Sequence, residues 1–328
     1  MSAVSVITPF HNTARHLPEC IESVLAQSHG DFEYLLVDNC STDGGDDIAE
    51  RYAQRDARIR FIRTQPLLPQ VPNYNRALTY IAPASRWMKL VQPDDTLFPR
   101  CLEDMLKVAD AHATIGVVSA YRLHGTGVQP PVGPPHTQSF MTGRDACRMM
   151  LIDDIFLFGS PTTVMIRADI VRRRLPFYTE GRFFEDAEVI YEILRDVDFG
   201  FVHQVLTFSR VEQDSTWGRM RAYHPRVLSR LIQLKRYGAE YLTREENRRL
   251  VAAQERKYRR LLARELLAGR GSEFWKFHRQ GLAEIGERLN RSALAGAAAL
   301  LLLELLLSPT RVGKALLRCA RRRRPPVQ

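Results

Sequence analysis

The stretch Trp87–Pro99 reads WMKLVQPDDTLFP and joins a short apolar strand to two adjacent carboxylates. Its first five residues are typical of a buried strand, which the following Gln-Pro ends. Asp94 and Asp95 then stand at the carboxyl end of that strand. Adjacent carboxylates repel each other unless a cation lies with them, and a hard divalent ion held by carboxylates and substrate phosphates is the expected use. The alternative is a turn whose aspartate caps the next helix.

The chain on both sides of this stretch alternates between strand and helix patterns. Strands are predicted at residues 4–8, 32–37, 59–62, 87–91 and 115–119, and helices at 14–27, 43–55, 73–81 and 102–111. Such alternation predicts an α/β fold with a mostly parallel sheet and helices on both faces. Ligands bind such sheets beyond the carboxyl ends of the strands. The polar clusters at Pro9–Asn12, Asp38–Asp43 and Asp94–Asp95 fall there.

A second segment follows this alternating region. Residues 125–135, rich in Gly and Pro, predict a mobile loop, and further helices are predicted at 144–152 and 185–195. Further strands are predicted at 162–166, 199–202 and 205–209. From Met220 the pattern is helical and rich in arginine.

Two more acidic sites lie at the ends of predicted elements. Asp38 ends an otherwise apolar strand, where a carboxylate is a good acceptor for a nucleobase or ribose, and Ser41 or Thr42 is expected to cap the helix that begins at Asp43. Glu185 and Asp186 open an amphipathic helix. They are either acids stabilised by the helix dipole or a general base directed into a cleft.

Five segments in order carry a resemblance to a known family: VSVITPFHN, YLLVDNCSTD, YNRALTYI, WMKLVQPDDTLFP and FFEDAEVIYEIL. Together they resemble the family 2 glycosyltransferases of the GT-A (Rossmann-like) fold over roughly residues 1–217. The resemblance implies an inverting transfer from a nucleoside diphosphate sugar. It implies a nucleotide-sugar half at about 1–120 and an acceptor half at about 121–217.

The resemblance also assigns roles to residues of this chain. Those implied for nucleotide-sugar binding are Pro9, Asn12, Asp38, Asn75 and Asp94, with Pro9 and Asp38 at the base. Asp94 and Asp95 would hold Mn²⁺ or Mg²⁺ against the diphosphate, and Asp186 would be the general base with Glu185 beside it.

The chain departs from the family pattern at three places. Gln92 stands where members often have an acid, so metal binding would depend on the Asp94–Asp95 pair. Glu212 stands where a His often follows the late arginine, and it is either a third metal ligand or, as we favour, a surface acid. Gln213 and Trp217 have the outer spacing of the Q-x-x-R-W motif of processive synthases, but Thr216 replaces its arginine, so processivity is not inferred.

The charge of the chain is unevenly distributed. Of 47 Lys+Arg and 37 Asp+Glu, 26 basic and 9 acidic residues lie from Arg219 onward, which leaves 21 basic and 28 acidic residues to Met1–Gly218. The first part therefore carries −7 and the second +17. An acidic first part suits a metal-binding catalytic module, and a basic second part suits an anionic surface. The five scattered cysteines and the absence of a signal-peptide pattern at the N-terminus fit a cytoplasmic protein.

The basic region from residue 218 to 328 predicts association with a membrane. Residues 248–267 interleave arginine with leucine as a basic amphipathic helix, although a solvated helix packed on the catalytic domain has the same pattern. The Ala/Leu segment between Ser292 and Ser308 is about 25 Å long as a helix, short of a bilayer core of roughly 30 Å, and contains Glu304. We therefore expect it to lie in the interface at the inner face of the cell membrane, assisted by the polybasic residues 311–324. Nucleic acid is the competing partner and is disfavoured, because few aromatic residues interleave the basic run.

The leading function is therefore transfer of a sugar to a glycan or lipid-linked acceptor, in cell-surface polysaccharide synthesis. Two alternatives stay open. One is a nucleotidyltransferase on a similar sheet, whose usual Gly-rich basic loop is missing after the first strand. The other is a catalytically inactive GT-A scaffold at the membrane, which the retained aspartates disfavour. Sugar, acceptor, linkage and oligomeric state are not encoded in any pattern that we identify.

Overall fold

The computed structural model describes residues 3–211 and 220–307. The chain divides into two compact units, Met1–Arg219 and Met220–Gln328, called here the catalytic unit and the helical unit. Glu212, Gln213, Trp217, Cys319 and the basic segment 311–324 lie outside the described residues.

The catalytic unit contains ten strands in one mixed sheet. The strands are β1 (Val4–Phe10), β2 (Phe32–Asp38), β3 (Ile59–Arg63), β4 (Trp87–Leu90), β5 (Thr96–Leu97), β6 (Ile115–His124), β7 (Gly127–Gln129), β8 (Phe140–Met141), β9 (Met165–Arg167) and β10 (Asp198–Ser209). The helices are α1 (Leu17–Leu25), α2 (Gly45–Arg55), α3 (Gln70–Leu78), α4 (Cys101–Ala111), α5 (Gly143–Asp153), α6 (Ala168–Arg173) and α7 (Glu185–Ile193), with a 3₁₀ turn at Pro161–Thr163.

The first half of the sheet is parallel, as the alternating pattern predicts. Strands β3, β2, β1 and β4 lie side by side in that order and are all parallel. All seven residues of β1 are buried, and α1 buries Leu17, Cys20, Ile21 and Val24 at helical spacing. These residues share one apolar core with β2, α4 and β6. The predicted α/β fold is therefore confirmed.

The second half of the sheet is mixed, where the sequence predicts mostly parallel strands. The order continues β9, β6, β10, β5; β9 is antiparallel to both β4 and β6, and β5 is antiparallel to β10. The segment 125–135 is not simply a loop, because β7 folds back on β6 as a hairpin. The two predicted strands at 199–202 and 205–209 are a single strand, β10, with register shifts opposite β6.

One predicted helix cap is wrong. Neither Ser41 nor Thr42 caps α2, because the residue before that helix is Gly44 in the left-handed conformation. Asp43 instead accepts hydrogen bonds from Gly45 N (3.1 Å) and from Ala14 N (2.8 Å). The Thr42 amide donates to the Asn12 side chain, so this polar run joins two loops at the edge of the sheet.

Over residues 220–307, the described part of the helical unit, the chain forms a 3₁₀ turn at Arg221–Tyr223 and four helices, α8 (Pro225–Tyr241), α9 (Arg244–Leu267), α10 (Ser272–Ala283) and α11 (Arg291–Leu306). Thr243 and Glu246 form a capping box at the start of α9. The apolar side of α9 is buried within the unit, where Tyr258, Leu261 and Leu262 are almost inaccessible. The apolar side of this helix is therefore packed mainly against other helices of the same unit. In the described part of the chain, no helix has both the length and the apolar composition needed to cross a bilayer.

Candidate active site

The carboxylate pair lies between β4 and β5, at the carboxyl end of β4. Asp95 is buried, and its side chain accepts hydrogen bonds from Ser209 Oγ and from the main-chain N of Arg210, both at 3.3 Å. This contact exists because β5 pairs with the end of β10 and so brings Ser209 beside β4. Asp94 is partly exposed, and its main-chain oxygen accepts from Arg210 Nε at 3.2 Å.

The electrostatics of this pair fit a cation. Burial, together with the charge of Asp94, raises the pKa of Asp95 to about 7. Two carboxylates held together in this way are stabilised by a divalent ion, and donor phosphates commonly supply further oxygen ligands. The side chains of Asp94 and Asp95 therefore suit Mn²⁺ or Mg²⁺. Within residues 3–211 and 220–307, no three His, Cys, Asp or Glu side chains lie together so that they could hold a metal ion.

A buried lysine supports the floor of this site. Lys89 of β4 is fully buried, and its Nζ donates to the carbonyl oxygens of Thr162 and Val164, the latter at 3.3 Å. The Thr162 hydroxyl in turn accepts from Gln92 N at 3.0 Å and also bonds to Asp95. The segment before β9 is thus fixed beneath the carboxylate pair.

The second acidic group opens α7. Asp186 Oδ1 accepts from Ala187 N at 2.8 Å, and the side chain borders a small pocket lined by Phe156, Phe158 and Tyr178. Burial raises the pKa of Asp186, an effect opposed by the Ala187 hydrogen bond and by the charge of Arg122. A carboxylate with a raised pKa in a pocket is a candidate general base. Glu185 lies beside it in the first turn of the same helix.

Arg122 of β6 connects the two acidic groups. Its charge interacts with both Asp95 and Asp186, while burial lowers the pKa of its own guanidinium group. Its Nη2 donates to Gln129 at 2.8 Å, and its buried Nε has no hydrogen-bond partner among the described residues. Our sequence interpretation missed this residue. The available signal was an arginine that continues an apolar strand past its carboxyl end.

The side chain of Asn75 in α3 is already engaged by another segment of the chain. Its Nδ2 donates to the main-chain oxygen of Tyr178 at 2.9 Å, and its Oδ1 accepts from the main-chain N of Tyr178 at 2.8 Å. Tyr178 borders the Asp186 pocket. The geometry thus gives Asn75 a positioning contact, whereas the resemblance implies a contact with the nucleotide sugar.

The predicted base-binding residues lie together at the ends of β1 and β2. Pro9 is opposite Val37 in register, and the neighbouring Phe10 is opposite Asp38. The buried Asp38 carboxylate accepts from Ser41 N at 3.0 Å and keeps further acceptor capacity, since an ionised carboxylate offers about four lone-pair sites. Asn12 has a positive φ of 51°, and its amide oxygen accepts from Thr42 N at 2.8 Å.

Comparison with known proteins identifies the chain. The family model described as Glycosyl transferase family 2 matches residues 5–175, which include β1 to β9. The chain belongs to glycosyl transferase family 2. As a family 2 protein it is a glycosyltransferase, and membership argues against the nucleotidyltransferase alternative. The putative teichuronic acid biosynthesis glycosyltransferase TuaG of Bacillus subtilis (strain 168) is 30% identical over 149 residues, 45% of this chain and 58% of TuaG.

Solved structures share the fold of this family 2 glycosyltransferase. The S. aureus TarS fragment 1–349 in complex with UDP-GlcNAc superposes with a TM-score of 0.61 at 16% identity, covering 87% of this chain and 80% of TarS. The mannosyltransferase PcManGT from Pyrobaculum calidifontis, in complex with GDP-Man and Mn²⁺, gives a TM-score of 0.53 at 14% identity, covering 90% and 86%. Both support the GT-A fold.

Proposed function

We propose that this glycosyltransferase moves a sugar from a nucleoside diphosphate sugar to a hydroxyl of a glycan or lipid-linked acceptor, with inversion, in cell-surface polysaccharide synthesis. The observation that carries the proposal is the placement of two acidic groups: the Asp94–Asp95 pair, held at the carboxyl end of β4, and Asp186, which borders a pocket at the start of α7. One group suits a metal and the diphosphate, and the other suits proton transfer. The name of TuaG and the sugar nucleotides bound in the TarS and PcManGT complexes support the same class of substrates.

The mechanism assigns one task to each group. Asp186 takes the proton from the acceptor hydroxyl as its oxygen attacks the anomeric carbon. Arg122, whose positive charge interacts with both Asp95 and Asp186, would stabilise the negative charge that gathers on the departing diphosphate. Mn²⁺ or Mg²⁺, held by Asp94 and Asp95, would supply further positive charge for the leaving group. A single displacement with one base requires no covalent intermediate and inverts the anomeric centre.

The donor half is proposed to span about residues 1–120 and the acceptor half about 121–217. Asp38 and Pro9 would meet the nucleobase or ribose, and Asn12 would keep the two adjoining loops together. Glu212 keeps its status as a candidate third ligand or surface acid. The protein is proposed to act in the cytoplasm, peripherally at the inner face of the cell membrane, where lipid-linked acceptors are available.

Calorimetry with a panel of nucleoside diphosphate sugars tests the donor and the metal. We expect one donor to bind with Mn²⁺ or Mg²⁺ and to bind at least tenfold more weakly in EDTA. Asp95→Asn should remove most of that metal dependence, while Asp31→Asn serves as a surface control. Equal affinity for every donor with and without the metal would refute the metal role, and failure to bind any donor would favour the inactive scaffold.

A further inference from the structure

The helical unit contains a slot with an apolar floor and a charged mouth. The slot lies among α8, α9, α10 and the start of α11, and its floor is formed by Leu231, Tyr258, Leu262, Leu282 and Leu294. Glu255, Glu287, Arg259 and Arg288 line its polar parts. An apolar cavity with a few converging charges is the usual form of a small-ligand site.

The charged side chains at the mouth of the slot leave a net positive charge. Lys235 binds both acids of the slot, Glu255 at 2.5 Å and Glu287 at a shorter distance, so a single cation occupies both carboxylates. Arg259 and Arg288 are exposed and form no ion pair within the part of the chain that the structure describes. Two guanidinium groups are therefore available beside an apolar floor, and this combination suits a phosphate that carries an apolar chain.

Beyond the slot lining, which ends at Leu294, α11 and the residue after it carry an exposed row of leucines. One side of α11 packs against α9, where Ala298 is buried, and Glu304 is tied to Arg260 of α9 at 2.6 Å. Leu300, Leu303 and Leu307 lie three and four residues apart and are 64%, 53% and 74% exposed. This spacing places them on one side of the helix. We call these three residues the leucine ridge.

We propose that the slot and the leucine ridge form one docking surface for a bilayer that contains anionic phospholipid. A lipid phosphate lies between Arg259 and Arg288, the first carbons of its chains contact the floor of the slot, and the leucine ridge enters the acyl region. The positive charge of Arg259 and Arg288 favours an anionic lipid. Burial of the leucine ridge in the acyl region adds a hydrophobic contribution to the binding free energy. Nucleic acid fits poorly, because the slot offers only the buried Tyr258 for stacking. The inference extends the proposed inner-face location and does not depend on the transfer reaction.

Vesicle flotation of the full chain tests the surface, with vesicles of phosphatidylcholine alone or mixed with phosphatidylglycerol. The slot variant is Arg259→Gln with Arg288→Gln, and the ridge variant is Leu300→Ser with Leu303→Ser. The matched control, Arg248→Gln with Arg249→Gln, removes the same charge from exposed positions of α9. Those positions lie about 15 Å along the helix from Arg259, beyond a Debye length of about 8 Å at physiological salt.

The slot variant should lose about thirtyfold in partitioning to anionic vesicles, since each basic residue near the surface contributes about fivefold. The control pair should lose less than about threefold, and the ridge variant should lose binding to both vesicle types. Equal losses for the slot and control pairs would overturn the slot. Unchanged flotation of the ridge variant, or equal flotation on neutral and anionic vesicles, would overturn the docking surface. Binding of soluble glycerol phosphate to the full chain, without flotation on either kind of vesicle, would overturn the docking surface and indicate a small phosphorylated ligand instead. All variants should keep donor binding, so loss of flotation and loss of transferase function are separate results.

Discussion

Asn75→Ala distinguishes a positioning role from a donor-binding role. The change removes two buried hydrogen bonds, of 2.9 and 2.8 Å, to the main-chain O and N of Tyr178. Each buried group left unsatisfied costs about 1–3 kcal/mol, so the free energy of unfolding should fall by about 2–6 kcal/mol. Turnover should fall as well, because Tyr178 borders the pocket that contains Asp186.

Urea unfolding of the wild type and the variant gives the loss of stability, and hydrogen exchange at the Tyr178 amide locates it. Asn73→Ala is the matched control, since Asn73 is a buried amide of the same helix that accepts only one weak contact from Arg76, at 3.3 Å. It should cost less than about 1.5 kcal/mol. An unchanged unfolding midpoint and unchanged exchange at Tyr178, together with lost donor affinity, would refute this reasoning and favour a direct contact between Asn75 and the nucleotide sugar.

Four further outcomes follow from the structure. Asp186→Asn should lower kcat about 10²–10⁴-fold with little change in donor affinity; near wild-type turnover in this variant but not in Glu185→Gln would show that the wrong acid was assigned. Arg122→Met should lower kcat at least tenfold in steady-state assays, and an unchanged kcat would remove Arg122 from the mechanism. Gly143→Ala should destabilise the catalytic unit by about 1–3 kcal/mol in urea unfolding, because its Cβ would lie 2.1 Å from the main-chain oxygen of Leu194, directly after α7; an unchanged midpoint would contradict this. Burial lowers the pKa of His278 to about 4, so the unfolded chain takes up a proton at a higher pH than the folded chain does. The contribution of neutral His278 to the free energy of unfolding is therefore fully present above about pH 6.5 and falls by about 3 kcal/mol towards pH 4. Unfolding measured across that range should show a smaller fall for His278→Gln.

Local patterns of apolar residues correctly predicted the strands and helices whose positions depend on those patterns. The apolar runs of β1 to β4 and the helical spacing of α1 reflect burial against near neighbours in sequence, so their positions were correct within a few residues. The antiparallel insertion of β9 and the β7 hairpin were not predicted. The pairing of β9 depends on distant partners, such as Met88 with Ile166, which leave no period in the sequence. The β7 hairpin is local, with Gly127 opposite His124, but its short strand lies in a segment whose Gly and Pro content predicts a loop.

The candidate site likewise contains residues that local motifs indicate and contacts between distant segments that they do not. Asp94 and Asp95 were predicted as site residues because they stand at the carboxyl end of a predicted strand, where parallel sheets bind ligands. Asp186 was predicted because it opens a helix. The burial of Lys89 under Thr162 and the link between Asn75 and Tyr178 join segments about 70 to 100 residues apart. No local motif reports such contacts, so the amide of Asn75 resembles a binding residue in sequence while its observed bonds are to the main chain.

The pairing of β5 with β10 has a consequence for the growing polypeptide. Thr96 and Leu97 find their partners at Phe208 and Thr207, about 110 residues later. At roughly 5–20 residues per second, the ribosome needs about 6–22 seconds to make that stretch. During this interval the nascent chain contains both aspartates but not Ser209 and Arg210, which bind Asp95 in the finished protein. The proposed metal site of the newly made enzyme is therefore expected to form late, after its first four strands are able to pair.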